Sequence, residues 1–156
     1  MRRAVKFLHT VASGGMIGAF LGYLVILAFS PQGSPQALAD MRQTISALSN
    51  YLLLPSLAVA LVSGLMSMVV HKPFLEHRWV WAKAVLGLSL FEATLAVIHA
   101  KAASASEEAA KIVTGQGDPA MLASIVANEW MTLAALLALS GAQVALGVWR
   151  PRLGKA

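Results

Sequence analysis

FLHTVASGGMIGAFLGYLVILAF, residues 7–29, contains no Asp, Glu, Lys or Arg over 23 positions. A helix of about 20 apolar residues, rising ~1.5 Å per residue, crosses the ~30 Å hydrocarbon layer of a membrane. The apolar residues lack the strict alternation of a strand, and in lipid only helices or closed barrels satisfy every backbone group. The stretch therefore predicts a transmembrane helix.

Three further stretches repeat this signal. Residues 48–70 and 130–149 are free of charged side chains, and residues 79–100 contain only Lys83 and Glu92. The composition agrees, because 58% of the 156 residues are hydrophobic and 12% are charged, against about a quarter charged in soluble domains. The sequence predicts an all-α integral membrane four-helix bundle. It forms a single transmembrane domain over residues 1–156, with spans at about 7–29, 48–70, 79–100 and 125–149.

The basic residues predict how the bundle is oriented. Those on one side are Arg2, Arg3, Lys6, Lys72, Arg78, Arg150, Arg152 and Lys155, and those on the other are Arg42, Lys101 and Lys111. The positive-inside rule then places both termini in the cytoplasm. The net charge of +5 is thus a topology signal that predicts a lipid bilayer, and no nucleic acid, as the surroundings.

Two alternatives are set aside by simple features of the chain. The first span resembles the apolar part of a leader peptide, but it is longer than the 7–15 residues typical of one, so we expect it to be retained. The chain has no cysteine, which excludes disulfides, thiolate metal sites and cysteine nucleophiles.

Helices two and three are expected to extend beyond the outer face of the membrane. Ser34-Pro35 is typical of a helix start, since serine caps the helix and proline suits its first position. We expect helix three to continue to about Thr114, with Glu107 and Lys111 forming an i,i+4 ion pair. Glycines at 115 and 117 then end it, and Asp118-Pro119 begins the last helix.

Small residues in the spans predict close packing. Gly14, Gly18 and Gly22 recur every four residues, a spacing that lets another helix approach closely. The stripe contacts either this chain's own bundle or, in a homo-oligomer or larger complex, a membrane partner. Pro55 removes a backbone hydrogen bond to Tyr51 and predicts a kink in the second span.

Histidines on the predicted cytoplasmic side are candidate cofactor ligands. His9 lies near that end of the first span, and His71 and His77 flank the short connector between spans two and three. Imidazole binds haem iron, copper or zinc. His9 and His71, at similar depth, are therefore the candidate metal ligands, although each is also interpretable as a solvated or bundle-facing histidine.

The ionisable residues of the later spans are candidate catalytic groups. Lys83 lies one turn inside the third span, where it either extends to the interface or binds an anionic group from within the bundle. Glu92 lies near the middle of that span, His99 two turns further along, and Glu129 enters the fourth span from the outer side. Glu92, His99 and Glu129 predict a polar track, that is, a row of polar side chains through the outer half of the membrane. Such a row would relay protons, bind a cation or contact a quinone. The alternative is a neutral Glu92 bonded to a neighbouring hydroxyl.

Short motifs carry a resemblance to a known group of proteins. They are Lys-Phe-Leu-His at 6–9, Leu-Pro-Ser at 54–56, Arg-Trp-Val-Trp-Ala-Lys at 78–83 and Asn-Glu at 128–129. In this order they resemble the superfamily of small bacterial integral membrane proteins that contains the HemJ-type protoporphyrinogen oxidases and the copper-resistance D domains. The likeness covers most of the chain.

The resemblance implies a haem site. It matches His9 to a first-helix haem ligand and Lys83 to the family's Trp-x-x-Lys-like element. Trp81 and Ala93-Thr94 stand where that family has a histidine and a Tyr-His pair. The resemblance therefore implies bound haem rather than the oxidase activity itself.

The leading hypothesis is a haem b protein with a redox or electron-transfer role. His9 is its predicted axial ligand and His71 or His99 the second, Glu92 and Glu129 manage protons, and Lys83 is the candidate anion-binding group. One alternative is a non-enzymatic subunit that docks a larger complex through the glycine stripe. Another is an ion- or copper-handling protein that uses Glu92, His99 and Glu129.

Overall fold

The computed structural model describes residues 2–70 and 77–149, and they form helices joined by short turns. The α-helices are α1 (Arg2–Phe29), α2 (Pro35–Leu48), α3 (Leu54–Val70), α4 (Arg78–Ala93), α5 (Ala100–Val113), α6 (Pro119–Ile125) and α7 (Glu129–Trp149). Two π-turns, Ser49–Leu53 and Thr94–His99, join α2 to α3 and α4 to α5 within continuous helices. The predicted all-α membrane bundle is confirmed.

Four helical runs are long and apolar enough to cross a membrane. They cover Arg3–Phe29, Pro35–Val70, Arg78–Val113 and Pro119–Trp149. The second and third runs have 36 residues each, about 54 Å at the ~1.5 Å rise of a helix. Because the hydrocarbon layer is only ~30 Å thick, these two helices extend beyond it, as predicted. We call the end where α1 begins the inner end and the opposite end the outer end.

Local signals at the outer end act as the sequence predicts. The Ser34 hydroxyl accepts a hydrogen bond from the Ala37 N–H at 3.2 Å, and the Asp118 carboxylate accepts one from the Ala120 N–H at 2.8 Å. Both helices therefore begin at an N-cap followed by proline. Gly115 adopts a φ of +75° just beyond α5, a conformation that glycine reaches at little cost.

One predicted ion pair is wrong. The Lys111 ammonium lies 3.3 Å from Glu108, not against Glu107, which is exposed. Glu108 lies on the buried face of α5, and its second oxygen accepts the Asp118 N–H at 2.8 Å. This carboxylate therefore fixes the turn between α5 and α6.

The core lies between α1, α3, α4 and α7 and continues outward under α2 and α5. Its fully buried side chains include Phe20, Ile45, Leu53 and Leu133. Helices α1 and α4 each pack on α3 and on α7, so they occupy opposite corners of the bundle. The outward surfaces of α1 and α4 consequently face different parts of the surroundings.

The glycine that brings two helices closest is Gly15. A Cβ on Gly15 would lie 2.6 Å from the Ser56 hydroxyl of α3, whereas nothing lies within 4 Å of such an atom on Gly14 or Gly18. Gly22 has ordinary contact with Leu48 at 3.5 Å. Of the two alternatives for the stripe, contact with the chain's own bundle is made by Gly22 and not by Gly14 or Gly18.

The second span accommodates Pro55 through the first π-turn. Proline lacks an N–H, and its ring clashes with the carbonyl four residues earlier. Immediately before Pro55 the helix widens, and the Leu54 N–H donates to the Ser49 carbonyl in an i→i+5 bond. The predicted disturbance therefore takes the form of a wider helical turn.

Candidate functional site

The inner end contains a histidine, His9, with one ring nitrogen hydrogen-bonded to α3 and the other without a partner among the described residues. His9 Nδ1 lies 2.9 Å from the Ala60 carbonyl oxygen and 3.2 Å from the Ser63 hydroxyl, both on α3. Because a carbonyl only accepts, this arrangement places the imidazole proton on Nδ1 and the lone pair on Nε2. Within residues 2–70 and 77–149, no side chain or backbone group bonds Nε2. Nε2 is thus the ring nitrogen that carries the lone pair and has no partner among these residues.

The fit between His9 and α3 depends on small residues. A Cβ on Gly64 would lie 3.2 Å from His9 Cε1, so the missing side chain gives the ring room. The Ser63 hydroxyl donates to the Val59 carbonyl one turn earlier, which leaves its lone pairs directed at the imidazole. His9 was predicted from the sequence, whereas these two supporting residues were not.

Lys83 packs against the last helix. Its ammonium lies where a Cβ on Gly147 of α7 would be only 2.7 Å away, and its backbone carbonyl accepts a hydrogen bond from Gln143 at 3.0 Å. Gly147 is near the inner end of α7, so extension of Lys83 to the interface and binding of an anionic group within the bundle both stay predictions. We call His9, Ser63 and Lys83 the inner cluster.

The outer end contains a buried ion pair that connects three helices. Arg42 Nη1 of α2 lies 2.9 Å from each carboxylate oxygen of Glu129 in α7. The Tyr23 hydroxyl of α1 donates to the same carboxylate. The side chains of Arg42 and Glu129 are only 6% and 9% exposed. We call Tyr23, Arg42 and Glu129 the outer cluster.

A break in the last helix places Glu129 in this cluster. Asn128, between α6 and α7, has a φ of 62°, and asparagine is among the residues that adopt this conformation most readily. Glu129 then begins α7, where a carboxylate interacts favourably with the positive end of the helix dipole. Arg42 Nε is buried without a partner among the described residues, so the guanidinium is held mainly through Nη1.

The middle of the bundle contains a second polar contact, at the two π-turns. The Ser49 hydroxyl lies 3.3 Å from His99 Nδ1. Thr94, which begins the second π-turn, is fully buried, and its hydroxyl has no partner in the described residues. Ser49 lies two helical turns inward from Arg42, so this contact is separate from the outer cluster.

The predicted polar track of Glu92, His99 and Glu129 is not formed. Glu129 binds Arg42 and Tyr23, His99 contacts Ser49, and Glu92 lies on the exposed surface of α4. The prediction assumed an uninterrupted α-helix, in which residues seven apart share a face. The π-turn between Glu92 and His99 inserts one residue, which rotates the face by about 100°.

Other predicted site residues are placed as follows. His71 lies outside the described residues. His99 ends the second π-turn and contacts Ser49, whereas His9 contacts Ala60 and Ser63 further along the same helical run. The two histidines are therefore too far apart along the bundle for one porphyrin to bridge them. The described residues include no group of three or more His, Asp or Glu side chains that could hold a metal ion. The catalytic roles of Lys83, Glu92 and Glu129, and the ion- or copper-handling hypothesis, stay predictions.

Tyr23 and Arg42 were not predicted as functional residues. Arg42 was counted only as a basic residue of the outer side, yet it lies between the apolar positions Met41 and Ile45 of an amphipathic helix. A fully buried arginine is usually paired with an acidic group. The sequence does not show that Arg42 is buried, so Glu129 was not predicted as its partner.

The comparisons with known proteins establish a family. No curated protein and no solved structure matches the chain. The model of one protein family, described as "Predicted integral membrane protein (DUF2269)", matches residues 3–151. Together with the four membrane-spanning runs, this match makes the chain a multi-pass integral membrane protein that belongs to the DUF2269 family.

Proposed function

We propose that this protein binds haem b at its inner end and has a redox or electron-transfer role in a bacterial inner membrane, with both termini in the cytoplasm. The observation that carries the proposal is the hydrogen bond from His9 Nδ1 to the Ala60 carbonyl, 2.9 Å long. Histidines that bind metals usually donate their other ring N–H to a carbonyl or carboxylate, which fixes the tautomer and makes the ligand nitrogen more basic. The resemblance of the chain to the HemJ-type and copper-resistance D proteins agrees with this choice.

The residues of the inner cluster fit such a group. His9 offers Nε2 as an axial ligand, and a neutral imidazole is a common ligand of haem iron. Lys83, whose ammonium lies beside Gly147 of α7, would bind a propionate as a hydrogen-bond donor and positive charge. Bound haem would supply a one-electron centre. The protein's own residues would bind it, orient the ligand ring and exclude water.

The proposal leaves the second axial position to His71 or to another ligand. His71 directly follows α3 in the sequence, and α3 holds the residues that contact His9. His99 contacts Ser49 at the second π-turn, so we do not propose it for the same haem. Trp81 and Thr94 stand where the HemJ-type proteins have histidines, and we therefore propose a haem protein without proposing their oxidase activity.

An optical spectrum tests this function. We expect the protein, expressed with supplied haem and purified in mild detergent, to show Soret and α bands in a reduced-minus-oxidised spectrum. His9→Ala is expected to lose most of the haem, because the remaining groups supply no axial imidazole at this position. His99→Ala is the matched control and is expected to retain it.

Two results would overturn the haem proposal. One is a wild-type protein, verified as folded by circular dichroism, that has no haem bands after supplementation. The other is a haem content that falls equally in His9→Ala and His99→Ala, which would show a general loss of structure rather than a lost ligand.

A second candidate function is that of a membrane subunit, and the surface of α1 favours it. Gly14 and Gly18 are exposed, and a Cβ added to either would meet nothing within 4 Å, although glycines so spaced are typical of helix–helix contacts in membranes. We propose this strip of α1 as the docking site of a partner subunit. Val11 and Leu21, on the same outward surface, are 56% and 50% exposed.

Gly18→Leu separates this function from haem binding. The variant is expected to fold and to keep its haem, because a side chain at Gly18 contacts nothing within the chain. It is expected to lose assembly into a larger complex, measured as native mass after gentle solubilisation. An unchanged native mass would contradict the subunit proposal and leave the His9 test unaffected.

A further inference from the structure

Glu92 is in a position that lipid alone does not satisfy. It lies on the exposed surface of α4, eight residues before the predicted outer boundary of the span at Ala100, or about 12 Å along a helix. Its side chain has neither a hydrogen bond nor an ion pair with any described residue. An acidic group facing hydrocarbon costs several kcal/mol unless it is neutral or bonded. Something outside this chain is therefore expected to contact it.

The residues around Glu92 form a helix-docking stripe. Val85, Leu88 and Leu95 lie on the same outward surface and are 63%, 57% and 41% exposed. With Glu92 they follow a 3-4-3 spacing, which is the seam of a two-helix coiled coil. The exposed small residues Ser89 and Ala96 flank the seam, and small residues let a second helix approach closely.

We propose that this stripe, Val85, Leu88, Glu92 and Leu95, is the surface on which a second copy of the chain docks, with α4 parallel to α4 of the other copy about a two-fold axis. Two copies inserted in the same orientation present parallel helices, and in a parallel pair equivalent seam positions face each other. Glu92 of one copy therefore meets Glu92 of the other.

The chemistry of the carboxyl group favours a second copy as the occupant. In its protonated form a carboxyl has one O–H donor and remaining acceptor capacity, and this form avoids the cost of a charge in hydrocarbon. Such a group is its own complement across a two-fold axis. A cationic helix of another protein is the other partner that would satisfy Glu92, but it requires a residue that this chain does not supply.

The proposed surface is separate from the glycine strip. Helices α1 and α4 are at opposite corners of the bundle, so Gly14 and Gly18 remain accessible when the α4 surfaces meet. The inference does not depend on bound haem, since the stripe contains none of the inner cluster. A negative haem test therefore does not contradict the proposed dimer surface, and a negative dimer test does not contradict haem binding.

The first test measures association of the purified full-length protein in mild detergent. We expect a dimer by light scattering and association about tenfold weaker in Glu92→Leu, since an interhelical hydrogen bond in a membrane contributes about 1–2 kcal/mol. Glu92→Gln is expected to remain dimeric, because an amide also donates and accepts. Glu107→Leu, which removes an exposed carboxylate outside the membrane, is the matched control and is expected to be unchanged.

The second test uses the absence of cysteine from the chain. Leu88→Cys in membranes is expected to form disulfide-linked dimers on mild oxidation, because equivalent seam residues lie within the ~5.5–6 Å reach of a disulfide. Leu21→Cys, equally lipid-facing but on α1, is expected to remain monomeric.

Three results would overturn the proposal. They are a wild-type protein that is monomeric by light scattering, equal cross-linking of the two cysteine variants, and an association that Glu92→Leu leaves unchanged. Cross-linking of Leu88→Cys to a different protein, with none to itself, would assign the surface to a foreign helix instead of a second copy.

Discussion

Arg42→Leu is expected to lower the free energy of unfolding by about 3–5 kcal/mol, because it leaves the Glu129 carboxylate buried without its counter-charge. Both side chains are less than a tenth exposed, and Nη1 is 2.9 Å from each carboxylate oxygen. The loss is measured as the shift of unfolding in SDS titrations of mixed micelles, followed by circular dichroism. It is expected to be larger than for any single exposed charge.

The matched variant for this prediction removes both charges. Arg42→Leu/Glu129→Leu is expected to be more stable than Arg42→Leu alone, since apolar residues of similar volume often replace a buried ion pair with little net cost. A single variant as stable as the wild type would show that the pair is solvated. A double variant no more stable than the single one would show that the loss comes from packing and not from the uncompensated charge.

The second large effect is expected from Gly15→Leu. A Cβ at this position would lie 2.6 Å from the Ser56 hydroxyl, so the larger side chain forces α1 away from α3. Overpacking of this kind typically costs about 1–3 kcal/mol or more. Because His9 lies on the same pair of helices, bonded to Ala60, we also expect the His9 contacts to loosen.

Gly18→Leu is the control for Gly15→Leu. It introduces the same side chain three residues along α1, at a position with nothing within 4 Å. We expect its SDS unfolding curve to match that of the wild type. Equal destabilisation by the two variants would indicate that α1 is rotated relative to the described packing.

Hydropathy and helix-capping residues were enough to predict the architecture. Length and apolar composition identify the spans, because a lipid-exposed backbone has few ways to satisfy its polar groups. The two N-caps, Ser34 and Asp118, were predicted correctly because capping depends on neighbouring residues alone. These features are local or compositional, so a single sequence contains them.

The rotation of each helix was not predictable in the same way. The π-turn at Thr94–His99 has no proline to indicate it, yet it separates the faces of Glu92 and His99. On α1 the close contact is made by Gly15 and not by Gly14 or Gly18, and the spacing of the glycines does not distinguish them. Rotation is decided by how complete side chains fit across helices, and that information is spread over several spans.

The candidate site was predicted in part for the same reason. His9 and Lys83 were identified as candidate site residues because ionisable residues in a span are rare and often functional. Their contacts with Ser63 and Gly147 depend on which helices are neighbours. The partnership of Arg42 with Glu129 joins residues 87 positions apart, which no local pattern specifies.

At the outer end of the lipid-embedded bundle, Arg42, Glu129 and Tyr23 join α2, α7 and α1. Solid-state NMR of the labelled protein in bilayers detects the ion pair directly, through the correlation between the Arg42 guanidinium nitrogens and the Glu129 carboxyl carbon. We predict a strong cross-peak that disappears in Arg42→Leu while the helical signals remain. A Glu129 carboxyl that correlates instead with His99, or with water and no guanidinium, would contradict this arrangement.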